Sequence, residues 1–482
     1  ASVEFNETDW SVKVLNMTER NTKCTLYFDR EYSEAILNGT DPVLKEPLIA
    51  VTIENDGTVK RADLTSEWYN YENKEWANAI ILTDESTSAN YEPGEVIPEE
   101  AIESYFVWIP KYRYQLWDLG EYEGLTEIDE SKVHEIPIIF GDYNTNDDVD
   151  GECTTSMESG ETGNCTVGDY MTHPAFLSIP STGFWVGKFE TGYAGATSTV
   201  EAEQNINDSS KVKIKSNTYG WRGIQVANAF YTSYDYKRDL DSHMMKNTEW
   251  GAVAYLQHSA YGSQESVRIN NNSSYITGYA ANNEPTCGYT ATNEECNRYC
   301  NDGTCNTAYP NSVLASTTGN ITGIYDMSGG AWEYVMGIMV DQNSKPMSGR
   351  NSLFNSGFNG TFGCPTCDED TNGYTSLTEG YDWPDSKYYD TYVYGSEDEQ
   401  YQHRVLGDAT GEMGTFANES YLTQIRPIGS WYADRSIFIL NSGPWFLRGA
   451  SCFFGLDAGM FAYAYTYGHV HADYSFRVVL TP

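Results

Sequence analysis

The stretch Gly323-Ile324-Tyr325-Asp326-Met327-Ser328-Gly329-Gly330-Ala331-Trp332-Glu333-Tyr334 decides how the chain is read. Two adjacent glycines open backbone conformations that residues with a Cβ avoid, so the chain turns tightly at Gly329-Gly330. The turn delivers Trp332, large enough to plug a core.

Outward from this run, the spacing of Met245, Trp250, Val253, Ala254 and Gln257 predicts a helix over Met244 to His258, and a second is expected over Gln225 to Tyr234. Tyr105 to Trp117 is an aromatic, β-prone run, followed by an acidic loop from Gly141 to Thr166. The first hundred residues read as short strands at Ser11 to Leu15, Thr25 to Phe28 and Leu48 to Ile53. The last of these enters an Asn55-Asp56-Gly57 hairpin turn before Thr58-Val59-Lys60. Aromatic packing is expected between Trp68 and Ile80. The polar stretch Thr83 to Pro98, with Pro93-Gly94, reads as a linker, which places a domain boundary near residue 100.

Four segments in order carry a family resemblance: Phe184-Trp185-Val186-Gly187-Lys188-Phe189-Glu190-Thr191, Lys246-Asn247-Thr248-Glu249-Trp250, the Gly323–Tyr334 run, and Arg448-Gly449-Ala450-Ser451 with Ser475-Phe476-Arg477-Val478-Val479. Over roughly residues 170–482 they resemble the formylglycine-generating enzyme (sulfatase-modifying factor) family, whose domain has a C-type-lectin-like topology. The resemblance implies an α+β, loop-rich, C-type-lectin-like domain preceded by a mainly β N-terminal domain. The division expected is 1–100 for attachment or assembly and 101–482 for the lectin-like domain, with insertions at 141–166, 280–312 and 348–414. The chain departs from the family at Gly330, where Asn is usual, and at Ala450 and Ser475, where Gly is usual. These departures weaken a borrowed metal site more than they weaken the fold.

The family's copper-dependent oxidase chemistry needs two cysteines just after its Arg-Gly-Gly-Ser run, because thiolates bind the copper. Here Cys452 stands alone, followed by Phe453-Phe454-Gly455-Leu456-Asp457-Ala458-Gly459. No G-x-S-x-G, P-loop or H-E-x-x-H is present, and the seven histidines are scattered apart from His469 and His471. The expectation is a protein without enzymatic activity.

Between Arg448 and Phe476 there is no Lys, Glu, Gln or Trp. Within this fold the segment resembles the variable region of retroelement-diversified proteins, in which adenine-directed mutation of Asn or Tyr codons yields the residue types found here except Met460. Tyr463, Tyr465, Tyr467, His469 and His471 alternate, so one strand would set them all on one face. Such rings give a paratope large contact area with few rotatable bonds to freeze. The same alternation fits the core of a last hairpin. The ligand-binding set expected is Ser451, Phe453, Phe454, Leu456, Asp457, Met460, Tyr463, Tyr465, Tyr467, His469, His471, Asp473 and Tyr474.

Calcium is the expected cofactor. Asp368, Asp370, Asn372, Tyr374 and Glu379 occupy the ligand positions of D-x-[DN]-x-[DN]-G-x5-E, with Gly373 at the sharp turn. Cys364-Pro365 and Trp383-Pro384 flank the loop and exclude the helices of an EF-hand, so an ordinary acidic turn is the alternative. The run from Asp142 begins similarly but has Asp147 where Gly belongs.

Ten cysteines, mostly clustered, argue for an oxidising compartment and local disulfides among Cys153, Cys165, Cys287, Cys296, Cys300, Cys305, Cys364 and Cys367. A zinc site built from the last five is the alternative, although the spacings miss paired C-x-x-C. Cys24 and Cys452 are left over, as a cross-domain pair, an interchain pair or free thiols.

Lys and Arg number 29 against 69 Asp and Glu, and the formal charge of −40 repels nucleic acid and anionic lipid alike. No apolar run reaches the ~18 residues of a membrane helix, so direct membrane insertion is not expected. Ala1 in first place is taken as the start of a processed chain. The function expected is an extracellular binding protein on a cell or virion surface, offering its C-terminal face to a protein or glycan ligand. The alternative is a structural subunit of a surface filament, pilus or phage fibre, self-assembling through N-terminal strands that donate edges to a neighbour.

Overall fold

The computed structural model describes residues 2–6, 11–16, 39–115, 135–141, 170–179, 181–268, 309–344, 346–347, 356–358, 381–394, 407–410, 434–440, 442–451, 454 and 458–482. Its strands are β1 (Ser2–Asn6), β2 (Ser11–Asn16), β3 (Ile49–Ile53), β4 (Val59–Arg61), β5 (Asn78–Leu82), β6 (Ile102–Pro110), β7 (Tyr112–Gln115), β8 (Ile138–Phe140), β9 (Tyr170–Thr172), β10 (Gly183–Gly187), β11 (Gly192–Tyr193), β12 (Val212–Lys213), β13 (His243–Met244), β14 (Trp332–Val340), β15 (Asp390–Val393), β16 (Trp445–Arg448), β17 (Tyr463–Thr466), β18 (Tyr474–Phe476) and β19 (Val478–Leu480). Helix α1 (Val226–Tyr236) precedes β13, and α2 (Asn247–Gln257) follows it. The class is mixed α+β, rich in sheet and poor in helix, and none of the described helices is long and apolar enough to cross a membrane.

An antiparallel seven-stranded sheet runs β13-β19-β10-β6-β5-β3-β4. Its central strand β6 pairs with β10 from Gly183 opposite Pro110 to Gly187 opposite Phe106, and on its other edge with β5. Phe106, Val107, Trp108 and Ile109 have no exposed surface, as expected where a continuous apolar run is covered on both faces. Trp108 meets Trp185 of β10 at 5.3 Å.

This sheet overturns the boundary at residue 100. Strands from residues 49–82 lie beside β6, β10 and the chain-terminal β19, so the N-terminal part shares one core with the rest. Side chains stitch the same junction: Lys188 Nζ donates to Asn78 Oδ1, Ile321 O and Gly323 O, and Asn78 Nδ2 donates to Thr322 O. The stretch Thr83 to Pro98 is no free linker either. It returns to cover β4, where Arg61 N donates to Glu95 O and Ile97 N to Val59 O, and Ile97 is buried. Its polarity reflects one solvated side rather than freedom.

The expected hairpin joins β3 to β4. Gly57 sits at φ +88°, and Asp56 Oδ1 accepts from Thr58 N at 2.9 Å. The aromatic run from Tyr105 divides at Pro110-Lys111, and β7 pairs instead with β8 and β9 in a three-stranded sheet. Both helices lie where periodicity sets them. Every residue of α2 is buried, which fits a helix enclosed on all sides. Its first turn is satisfied by Glu249, which accepts from Lys246 N, and by Asp390, which accepts from Thr248 N.

The second large sheet runs β15-β14-β16-β17, with β18 paired in parallel to β14. All nine residues of β14 are buried. Part of the expected 348–414 insertion belongs to this core: β15 is a strand of the sheet, Phe358 stacks on Trp445 at 5.7 Å, and Asp408 is fully buried. Of the expected insertion at 141–166 only Gly141 is described, and of that at 280–312 only 309–312.

Candidate functional site

β16 and β17 form an antiparallel pair, Trp445 opposite Thr466 and Arg448 opposite Tyr463. On the far side of β17 the segment 434–440 runs alongside, with Tyr463 N donating to Arg435 O at 2.8 Å and Ile437 N to Tyr463 O at 3.0 Å. Past Tyr463 the two segments separate, and an open cleft of about 410 Å³ lies between them. It is lined by Trp332, Arg435, Ile437, Leu447, Phe454, Ala464, Tyr465, Thr466, Tyr467, His469 and Tyr474. Such a volume is within the usual range of small-ligand sites.

The strand expected to run through His471 stops at Thr466. Gly468 at φ +77° turns the chain, and a Cβ there would approach Trp445 and Ser356 within 2.9 Å, so position 468 requires glycine. The loop that follows is held by its own carbonyls. Val226 N donates to Gly468 O, Tyr334 Oη to His469 O at 2.7 Å, Arg222 to Ala472 O at 2.7 Å and Trp332 N to Asp473 O at 2.7 Å. All four donors lie outside the loop. Within the loop one side chain also holds the main chain, His471 Nδ1 accepting from Asp473 N at 3.2 Å.

Those side chains form a continuous row. Tyr465 and Tyr467 are 6.4 Å apart, Tyr467 and His469 5.8 Å, His469 and His471 6.0 Å, and His471 and Tyr474 4.5 Å between ring centres. Tyr465, Tyr467, His469 and Tyr474 are half-buried and line the cleft, while His471 is exposed at its rim beside Val470, 41% exposed. Phe454 lies against Trp332 at 5.3 Å, and Asp473 is half-buried next to Tyr474. Burial, with His471 adding to it, lowers the His469 pKa, and burial raises that of Tyr474.

Three expected members face inward. Tyr463 has no exposed surface and lies 5.7 Å from the buried Arg448 guanidinium, Met460 O accepts from Trp250 Nε1 at 2.7 Å with its side chain buried, and Ser451 is buried. Alternation predicted one face for all the tyrosines. Tyr463 and Tyr465 share one face of β17, but Tyr463 lies where Phe446 and Arg448 close over it while Tyr465 reaches the cleft, and the turn at Gly468 keeps Tyr467 and His469 on the cleft. Phe453, Leu456 and Asp457 lie outside the described residues, as do all ten cysteines and the calcium positions Asp368, Asp370, Asn372, Tyr374 and Glu379. Among the described residues no group of three His, Cys, Asp or Glu side chains is placed to hold a metal ion.

Sequence reasoning missed Trp332, Arg435, Ile437, Leu447, Ala464 and Thr466. Trp332 had only a core role in view, and nothing local marks Arg435 and Ile437, which arrive through pairing across 26 to 28 residues with Tyr463.

Glu333, next to Trp332 on β14, belongs to a cluster of buried ionisable groups. Arg477 holds Glu333, Glu190 Oε2 accepts from Ala331 N, and Asp326 Oδ2 accepts from Glu190 N. Burial pushes the Asp326 pKa up to about 7 although Arg477 pulls it down, and burial with the nearby Glu333 and Asp326 charges raises Glu190. No protein-family model matches the chain, and no curated protein matches it.

Proposed function

We propose that the chain is a non-enzymatic extracellular binding protein that presents the Tyr465–Tyr474 face to a ligand. The observation that carries this reading is the combination of an aromatic, accessible row with a main chain pinned from outside by Arg222, Val226, Trp332 and Tyr334. A face built in this way is rigid before it binds, which limits the ordering cost of association. It also tolerates exchange of its side chains, as a diversified segment must, at Tyr467 and His469, whereas His471 Nδ1 accepts from Asp473 N.

A C-type-lectin-like fold of the formylglycine-generating type belongs to the same proposal. Two of the three departures from that family fall where their backbone asks for the family's residue: Ala450 sits at φ +56°, where glycine is favoured, and Gly330 at φ +68°, which asparagine also tolerates. For the filament reading, the β4 edge of the large sheet is covered by residues 94–97, while β1 and β2 pair as a separate two-stranded sheet.

The test is a protein and glycan array probed with the chain and with a Tyr467→Ser/His469→Ser/His471→Ser variant of equal melting temperature. Ligands retained by the chain and lost by the variant are expected. Signals that survive the triple substitution unchanged would overturn the assignment of the face.

A further inference from the structure

His471 is built into the loop after Gly468 as an acceptor. Its Nδ1 takes a hydrogen bond from Asp473 N at 3.2 Å, which requires a lone pair on that nitrogen and therefore a neutral ring protonated at Nε2. Asp473 is the residue through which the loop joins β14, since its carbonyl accepts from Trp332 N at 2.7 Å. The His471 ring also lies 4.5 Å from that of Tyr474, tilted by 31°, and Tyr474 pairs with Trp332 across β14 and β18. One imidazole nitrogen thus sits where the loop, β14 and the cleft wall meet.

A proton on Nδ1 turns the acceptor into a donor and sets two N–H groups against each other, so this bond cannot exist in the charged form. The ring is exposed, and an exposed imidazole titrates between pH 5 and 8. His469, 6.0 Å away, does not share the role: burial, with His471 adding to it, lowers its pKa, and its Nδ1 is buried without a hydrogen-bond partner. The charged groups packed around the loop from other elements are Arg222, which donates to Ala472 O and has Glu203 at 3.3 Å, and Arg435 of the opposite cleft wall, stacked on Phe454. Asp473 supplies the carboxylate within the loop, and the neighbouring hydroxyls are those of Tyr334, Tyr467 and Tyr474. A guanidinium accepts no hydrogen bond, so neither arginine can replace the lost acceptor, and both oppose a second positive charge beside them. An imidazolium beside the Tyr474 ring gains attraction to it, which keeps the side chain close without restoring the Asp473 bond.

We propose that this loop is an acid-released switch: a neutral His471 closes it on β14, and protonation of His471 opens it and loosens the cleft wall formed by His469 and Tyr474. A ligand held at neutral pH is then let go in acid, a consequence that rests on the reading of this face as a ligand site.

The experiment is hydrogen exchange of the full chain between about pH 7.5 and about pH 5, a range above the ordinary carboxylate values near 4. Each rate is divided by that of an unstructured amide at the same pH, so that the direct effect of pH on exchange drops out. Protection at residues 468–474 is expected to fall about tenfold toward the acid end, as loss of one gating hydrogen bond allows, while the amides of β6 keep theirs. His471→Asn places a side-chain oxygen where Nδ1 stands, keeps the bond to the amide two residues on and cannot titrate, so its protection is expected to stay flat. Asp326 and Asp390 titrate in both chains, so a difference between them belongs to position 471. His469→Gln is expected to keep the wild-type fall. Flat protection in the wild type, the same fall in His471→Asn, or its loss in His469→Gln overturns the switch. The measurement needs no ligand: an array that finds none, for a chain whose loop opens in acid, would remove the binding reading and leave the switch standing.

Discussion

The Arg477 guanidinium grips both oxygens of the Glu333 carboxylate, Nε to Oε2 at 2.9 Å and Nη2 to Oε1 at 2.5 Å, and neither side chain reaches solvent. A third donor, Nη1, reaches Gly187 O at 2.8 Å. The pair thereby ties β14, through Glu333, and β10, through Gly187, to Arg477 at the junction of β18 and β19. In the same register Trp332 pairs with Tyr474, so two residues of the cleft stand on the strand pair that Glu333 and Arg477 help to join.

Removing one partner strands a charge in a dry site. Glu333→Leu or Arg477→Met alone is expected to cost about 3–5 kcal/mol, whereas the two together are expected to recover most of that loss. Urea unfolding of the four proteins measures the coupling. Additive losses would show that the two groups act independently.

Asp326 and Asp390 set a pH dependence. Burial raises their folded pKa values to about 7 and about 6, above the ordinary value near 4, so the folded state favours the protonated form. Their contribution is therefore greatest at low pH and is lost as pH rises through about 6 to 7. Asp326→Asn keeps a residue that tolerates φ +65° and removes the titration. Relative to the variant, the wild-type melting temperature is expected to fall between pH 5 and 7.5, and a constant difference across that range would refute the assignment.

Much of the fold is legible in sequence because its signals are local. Gly57 in its hairpin and the buried residues of α2 both follow from spacing within a dozen residues. What the sequence hides is long-range. Thr83 to Pro98 reads as polar linker because one of its sides is wet, while Ile97 joins a sheet whose far edge lies in β13. The cleft is legible by halves for the same reason: Tyr465, Tyr467, His469 and Tyr474 are neighbours in sequence, whereas Arg435 and Trp332 are brought in by pairing. Tyr463 shows the limit of alternation, since it shares a face of β17 with Tyr465 yet is closed over by Phe446 and Arg448 while Tyr465 reaches the cleft.

The same division predicts tolerance. Tyr467→Ser, His469→Ser and His471→Ser are each expected to change stability by no more than about 0.5 kcal/mol, since partly or fully exposed positions carry little packing. Tyr463→Ser is expected to cost about 3 kcal/mol or more, because it empties a site closed by Phe446 and Arg448. Denaturant midpoints at constant slope decide the matter. A loss at position 467 as large as that at 463 would mean that the row supports the fold rather than presenting itself to a ligand.

Arg222 gives the sharpest test of a main chain held from outside. Its guanidinium is buried, donating to Ala472 O in the recognition loop and to Thr199 O at 2.9 Å in a neighbouring loop, with Glu203 at 3.3 Å. Arg222→Met removes both donations and leaves two carbonyls to find water, at a cost of about 1–3 kcal/mol. If the loop depends on this anchor, amide exchange at residues 468–474 should accelerate in Arg222→Met while the amides of β6 stay protected, a local opening rather than global loss. Tyr467→Ser should leave the same amides as slow as in the wild type. The two variants separate scaffold from display: acceleration in Tyr467→Ser, or none in Arg222→Met, would mean that the loop is organised by its own side chains and cannot exchange them freely.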